Sequence, residues 1–278
     1  MPDWSTLLRH PDDLTAPTRI DAWFAAIAER LLNGTELFIA RQAYRFLEIE
    51  FYLFGLDHED PFTHHHTNQY HCGHWHFHRT GGSYRGGSFK GIDLTFGNGK
   101  SSGGILLRSV AGPDGSVIAG PSLCVDHLLH ALRVDRVAEL DRLLNNRGAF
   151  DADNPLSLRP MERVEQRELL CTARVGLSLK KAKTGDERTR YLMRPYRYLN
   201  ESRAVRKGKP QIVLALHVRG DDVATIHRLT GSPRASIQRY ISEFEAGRQE
   251  SDCTPYFGSA VRAKEWCRLY GIWQRLHG

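Results

Sequence analysis

The sequence predicts an α/β protein of the mixed, α+β kind. A single antiparallel-rich domain should span residues 1–205, followed by a small all-α helix-turn-helix region over 206–278. Three observations support this. Aromatic and β-branched runs with period-two alternation crowd the stretch from Tyr44 to Val110, as half-buried strands do. Glycine-rich turns separate those runs. From Gln211 onward the apolar spacing changes to short helical patterns. With 278 residues, 41% apolar and 25% charged, the chain can bury a core and is neither collagenous nor disordered in composition.

Residues 1–17 carry three prolines and no strong periodicity, which predicts a surface lead-in. Thr18 to Leu32 places Ile20, Trp23, Phe24, Ile27 and Leu31 on one helical stripe, with Asn33-Gly34 as a stop. Tyr44 to Phe54 reads as a strand with Tyr44, Phe46, Glu48, Glu50 and Tyr52 on one face. His74 to His78 and Ile105 to Val110 read as further strands. The glycine-rich Thr80 to Gly104 segment predicts close backbone approaches, but it lacks the GxxxxGK[ST] and GxGxxG spacings of phosphate-binding loops. A helical stretch runs from Gly120-Pro121-Ser122 to about Leu144, then a loop covers Asp151 to Pro160. Gln211–Val218, Asp222–Leu229 and Pro233–Phe244 are three short helical patterns, the last two joined by Thr230-Gly231-Ser232.

No apolar run approaches the ~20 residues of a membrane span, and Met1-Pro2-Asp3 does not open an export signal. Five cysteines without a CxxC pair do not make a disulfide framework. A cytoplasmic protein with no membrane partner is expected, as a monomer. Net charge is +6, and the stretch Arg159–Lys209 holds 15 Lys and Arg against 6 Asp and Glu. That segment carries the basicity, as a nucleic-acid contact or as a solubilising face.

Glu48 and Glu50 on one face of an aromatic strand are costly unless paired or used, and Arg108 is the obvious countercharge. Two readings fit: a Glu–Arg pair that activates water, or a structural ion pair within the sheet. Eight of the 14 histidines fall between His58 and His78. His74, His76 and His78 would share a strand face, with alternate residues ~7 Å apart. A metal shell including His64, His65, His66 and Cys72 matches no familiar zinc spacing, so a polar pocket without metal or cofactor is the expectation. The segment DDVATIHRLTGSPRASIQRYISEFEAGR is similar to the helix-turn-helix of many regulators and recombinases, which sets Arg234, Ser236, Gln238 and Arg239 toward a groove or phosphates. A protein-binding appendage is the other reading.

In order, GTELFIARQAYRFLEIEFYLFG with DPFTH, then GGILLRSV, AGPSLCVDHLL, RVGLSL and MRPYRYL resemble the alkyladenine (3-methyladenine) DNA glycosylase family over roughly Leu32 to Leu199. HFHRTGGSYRGGSFKGIDLTFG resembles a divergent branch of it. The resemblance implies Glu50 as the general base, with Arg108 holding the attacking water. It implies Tyr52 and His64 as pocket walls, His78 or His76 where the family has a stacking tyrosine, and Asp93 where it has an asparagine. It further implies Tyr84 as the side chain that fills the gap in the duplex, beside Arg85 and Lys90. RVGLSL and MRPYRYL would be closing strands.

The function so implied is a monofunctional glycosylase acting on double-stranded DNA with a modified base, leaving an abasic site. Histidine in place of an aromatic wall, next to Asp93, suits either a hypermodified phage base such as glucosylated hydroxymethylcytosine, in antiviral defence, or a damaged purine in repair. Lys207 and Lys209 are candidate phosphate contacts beside the helix-turn-helix. The competing readings are a noncatalytic DNA-binding regulator and a hydrolase of free nucleosides.

Overall fold

The computed structural model describes residues 3–11, 17–55, 58–144, 147–183 and 185–278. The middle of the expected lead-in therefore lies outside the described residues. The chain is mixed α and β with a large antiparallel sheet. It divides into two compact units.

The first unit holds residues 1–59, 63–169 and 198–200. Its elements are α1 (Trp4–Leu7), α2 (Pro17–Gly34), β1 (Thr35–Ile39), β2 (Gln42–Gly55), β3 (His58–Glu59), β4 (Cys72–Phe77), β5 (Arg79–Thr80), β6 (Ser83–Tyr84), β7 (Ile92–Phe96), β8 (Ser102–Ala111), β9 (Val117–Ala119), α3 (Pro121–Ala131), α4 (Val137–Leu144) and β10 (Leu156–Pro160). The sheet runs in the order β10-β1-β2-β8-β7-β4, each pair antiparallel. The expected stripe of α2 is its buried face, since Ile20, Trp23, Phe24, Ile27 and Leu31 are all in the core. Phe24 stacks on Phe51 of β2 at 4.4 Å, which assigns the odd-numbered residues of β2 to the α2 side. Glu48, Glu50 and Tyr52 take the opposite face.

Three of the expected elements differ from the structure. The single helix expected from Ser122 to Leu144 is two, α3 and α4, because Arg133 takes φ +55°, a left-handed conformation that ends a helix. The loop expected over 151–160 ends in a strand, β10, paired with β1 in the register Phe38↔Ser157. The RVGLSL segment is not a strand. Gly176 within it sits at φ +90°, which breaks an extended run.

The second unit holds residues 60–62, 170–197 and 201–278. It contains β11 (Leu170–Thr172), α5 (Arg188–Tyr191), the start of β12 (Arg197–Leu199), α6 (Lys209–Arg219), α7 (Val223–Thr230), α8 (Arg234–Gly247) and α9 (Ala263–His277). Within one core, Leu179, Leu192 and Met193 pack with Leu214, Phe244, Trp266, Tyr270 and Trp273. The boundary expected at 205/206 therefore falls inside this unit, because the upstream segment supplies part of the helices' core. Asp222 caps α7 by accepting from the Thr225 amide at 2.7 Å, and the left-handed Gly231 at φ +68° closes it, as helix ends commonly do.

Candidate functional site

The polar face of the first unit's sheet is set by strand register. Glu50 lies opposite Leu106, Leu106 opposite Asp93, and Asp93 opposite His76. Directly opposed residues point to one face, so residues from four strands converge in one row. Adjacent strands are ~4.8 Å apart, which places the Glu50 and Asp93 backbones about 10 Å apart with Leu106 between them.

At one end of the row, register shifts on both sides of Glu48 bring it opposite Ser109. Such a bulge re-aims side chains locally. Glu48 accepts from Arg108 Nε at 2.7 Å and from Ser109 Oγ at 2.5 Å. Arg108 Nη1 donates to Glu50 Oε2 at 3.1 Å, and the Tyr52 hydroxyl donates to the same oxygen at 2.9 Å. Glu50 is fully buried, with Glu48 and Arg108 nearly so. Burial works against the Arg108 charge, but Glu50 and then Glu48 more than offset it, and its pKa lies above the ordinary arginine value. Glu48 is thus the orienting partner that fixes the guanidinium, while Glu50 faces the half-exposed Tyr52.

At the other end, His78 Nε2 meets Asp93 Oδ1 at 2.8 Å, and Gln69 Nε2 donates to Asp93 Oδ2 at 3.0 Å. A Cβ on Gly104 would lie 2.8 Å from the Asp93 carboxylate, so only glycine lets that carboxylate lie flat against β8. Burial pushes the Asp93 pKa up, but the neighbouring histidines, His78 first and then His76 and His64, together bring the net direction down. His64 packs its ring 4.8 Å from His78, and His66 stacks on His76 at 4.6 Å. Burial lowers the pKa of both His64 and His76 to about 4, which keeps these rings neutral near pH 7. His76 is 1% exposed, and neither of its ring nitrogens has a hydrogen-bond partner among the described residues. Such unsatisfied buried polar atoms are uncommon in folded proteins and call for a physical reason.

The structure thus brings together Glu50, Arg108 and Tyr52, and separately His64, His76, His78 and Asp93, on one face. Among the described residues, no three His, Cys, Asp or Glu side chains are grouped as a metal would require. Sequence reasoning missed Gln69 and Ser109, which hold the two carboxylates Asp93 and Glu48. Gln69 comes from a short 3-10 turn, Thr67–Tyr70, with no periodic signal to mark it.

Tyr84 is not the glycine-rich segment's projecting aromatic. Its hydroxyl is bonded to Asp141 and Arg79, and the Arg79 guanidinium covers its ring at 4.1 Å. Phe89, in a 3-10 turn over Gly87–Phe89, is instead 74% exposed. Ser-Phe-Lys amid glycines was the signal for it. Arg85 is half-exposed and donates to Thr80 Oγ1, whereas Lys90 is paired with Asp126.

In the second unit, Arg234, Gln238 and Arg239 are exposed and Ser236 is half-exposed. With Ala235 and Ser242, Arg234, Gln238 and Arg239 form a stripe along α8 opposite the buried Ile237 and Phe244, whereas Ser236 lies off that stripe, nearer the buried face. Lys207 is exposed. Lys209 is not presented outward: its ammonium donates to the carbonyls of Ser202, Arg203 and Thr230 at 2.9, 3.3 and 2.8 Å. These use all three of its donors. Burial, then Arg197 and Arg203, lower its pKa to about 8. Two cations of the basic stretch are also structural. Arg174 pairs with Asp60 in the interior, and Arg197 donates to the Lys207 carbonyl at 3.0 Å.

Compared with known proteins, the chain is 29% identical over 202 residues to "Uncharacterized protein L759" of Acanthamoeba polyphaga mimivirus, covering 67% of this chain and 90% of that protein. No family model matches it. No solved structure matches it.

Proposed function

We propose that the protein is a monofunctional DNA glycosylase that flips a modified base out of the duplex and hydrolyses its N-glycosidic bond. The observation that carries this reading is the fully buried Glu50, held by Arg108 and Tyr52 on a face whose other end is a histidine cluster around Asp93. Glu50 takes a proton from water as that water attacks C1′ of the sugar. Its charge also favours the oxocarbenium-like state that develops there. Arg108 and Tyr52 hold the carboxylate still, so its geometry is set before substrate arrives. The released base leaves with the electron pair of the broken C1′–N bond and takes a proton from solvent, while Glu50 returns the proton it took from water to solvent. FLEIEFYLFG and ILLRSV contain no lysine to form an imine with the abasic sugar, so strand cleavage is not part of the reaction.

His64, His76, His78 and Asp93 line the base pocket in this reading, and the two unpartnered His76 nitrogens suit a substrate rich in hydroxyl or amide groups. Such a lining fits a glucosylated hydroxymethylcytosine of phage DNA, or a damaged purine read at its polar edge. Phe89 takes the gap-filling role that the resemblance gave to Tyr84. The exposed stripe of α8 supports DNA contact by the second unit, and alone it would serve a noncatalytic regulator equally well. The test is incubation with duplexes carrying glucosylated, unglucosylated or methylated bases, scoring abasic sites and released bases. Release from at least one duplex is expected, and with EDTA present it persists. Binding without any abasic sites across the panel favours the regulator.

A further inference from the structure

A cleft of about 460 Å³ opens on the first unit, lined by Phe38, Arg41, Asp153, Asn154, Ser157 and Arg159 among others. None of these six belongs to the Glu50 row, so the cleft is a separate feature. Its volume is within the ~300–1,000 Å³ of small-ligand sites.

Its chemistry follows from register. Phe38 and Ser157 are directly opposed across β1 and β10, and Arg159 follows two residues along the same face. The Arg159 guanidinium lies 4.1 Å from the centre of the Phe38 ring and donates to the Ala152 carbonyl at 3.1 Å. Its Nε has no partner among the described residues. Ser157 is 1% exposed, and its Oγ likewise finds no partner among them. Asn154 is spent, since its amide nitrogen reaches the carbonyls of Leu144, Arg147 and Gly148.

Arg41 stands at φ +72° after Ala40 at φ +50° in the two-residue turn between β1 and β2. Asn and Gly are the residues such a turn prefers, so turn geometry does not call for an arginine there. Two guanidinium groups match an oxyanion, a buried hydroxyl can donate to it, an aromatic ring offers a stacking surface, and the exposed Asp153 carboxylate accepts from a sugar hydroxyl or a base amine.

We propose that this cleft binds a phosphate-bearing nucleoside, either free or at the end of a DNA strand. Arg41, Arg159 and Ser157 hold the phosphate, and the base lies against Phe38. The site does not depend on Glu50 and stands or falls apart from the glycosylase reading.

The test is calorimetric titration of the full chain at fixed salt. The probes are 2′-deoxyadenosine 5′-monophosphate, deoxyadenosine, inorganic phosphate and a 5′-phosphorylated ten-nucleotide single strand with no modified base. The expected result is binding of the monophosphate, with deoxyadenosine and inorganic phosphate each at least tenfold weaker. Arg41→Glu and Ser157→Ala should each weaken it about tenfold. Ser157→Ala should leave the melting temperature unchanged, because its hydroxyl has no hydrogen-bond partner among the described residues to lose.

Binding of the ten-nucleotide strand but not of the monophosphate, with the same dependence on Arg41 and Ser157, supports the site and assigns it to strand ends. The proposal is overturned if neither the monophosphate nor the strand binds at millimolar concentration, or if the two substitutions leave affinity unchanged. Inorganic phosphate binding as tightly as the monophosphate also overturns it.

Discussion

Glu50 and Arg108 were legible because charge inside a strand of apolar residues is rare enough to need a reason. The division of labour between Glu48 and Glu50 was not, because it depends on a bulge that only pairing with β8 reveals. It predicts that Tyr52→Phe slows base release about tenfold, by removing the Tyr52 hydroxyl as a donor to Glu50 Oε2. Single-turnover rates at saturating enzyme check this. Arg108→Ala should cost ~3–5 kcal/mol of stability, since it strands two buried carboxylates, and urea unfolding measures that directly. The histidines make a pH prediction. The His76 pKa is about 4 in the folded chain against ~6.5 unfolded, so the unfolded state binds more protons between those values. This stabilisation is complete above about pH 6.5 and is lost as pH falls toward 4. The shift corresponds to ~3 kcal/mol, and His64 shifts in the same direction. Denaturation midpoints should fall from pH 7.5 to 5, and His76→Gln should narrow the difference.

Among elements, those with a long or strong pattern were readable: the stripe of α2, the alternation of β2, and the helices α6, α7 and α8. The missed strands β1, β7 and β10 are only five residues each. Two of them put a charge inside the strand, Glu36 and Asp93, and β10 ends in Arg159-Pro160. Their pairing partners, not their own composition, make them strands. The glycine-rich segment around β5 and β6 shows the same limit, since Tyr84 is held by Asp141, more than fifty residues downstream. Phe89→Ala should reduce release from duplex DNA about tenfold or more while sparing single-stranded substrate, because lost stacking matters only where a gap must be filled. Equal losses on both substrates would remove Phe89 from that role. For α8, the double substitution Arg234→Glu and Arg239→Glu should weaken DNA binding and flatten its salt dependence by about two phosphate contacts. Both side chains are exposed, so circular dichroism should be unchanged. An unaltered salt slope would give that helix face another purpose.

Across the whole chain, the change of composition after residue 205 signalled a helical region but not how much chain that region needs to fold. Leu179, Leu192 and Met193 lie in its core, yet they sit in a segment whose basic character dominated the sequence pattern. Truncation after residue 205 would therefore remove Phe244 and Trp273 and leave Leu179, Leu192 and Met193 without those core partners, so point substitutions are the sounder probes of this unit. Whether Glu50 excises a base from DNA is decided by comparing Glu50→Gln with the unaltered protein at matched DNA occupancy on a responsive duplex. The variant is predicted to bind that duplex with undiminished affinity while its rate of abasic-site formation falls ~10²–10⁴-fold, the range of a lost general base. Abasic-site formation within tenfold of the unaltered rate would contradict the account.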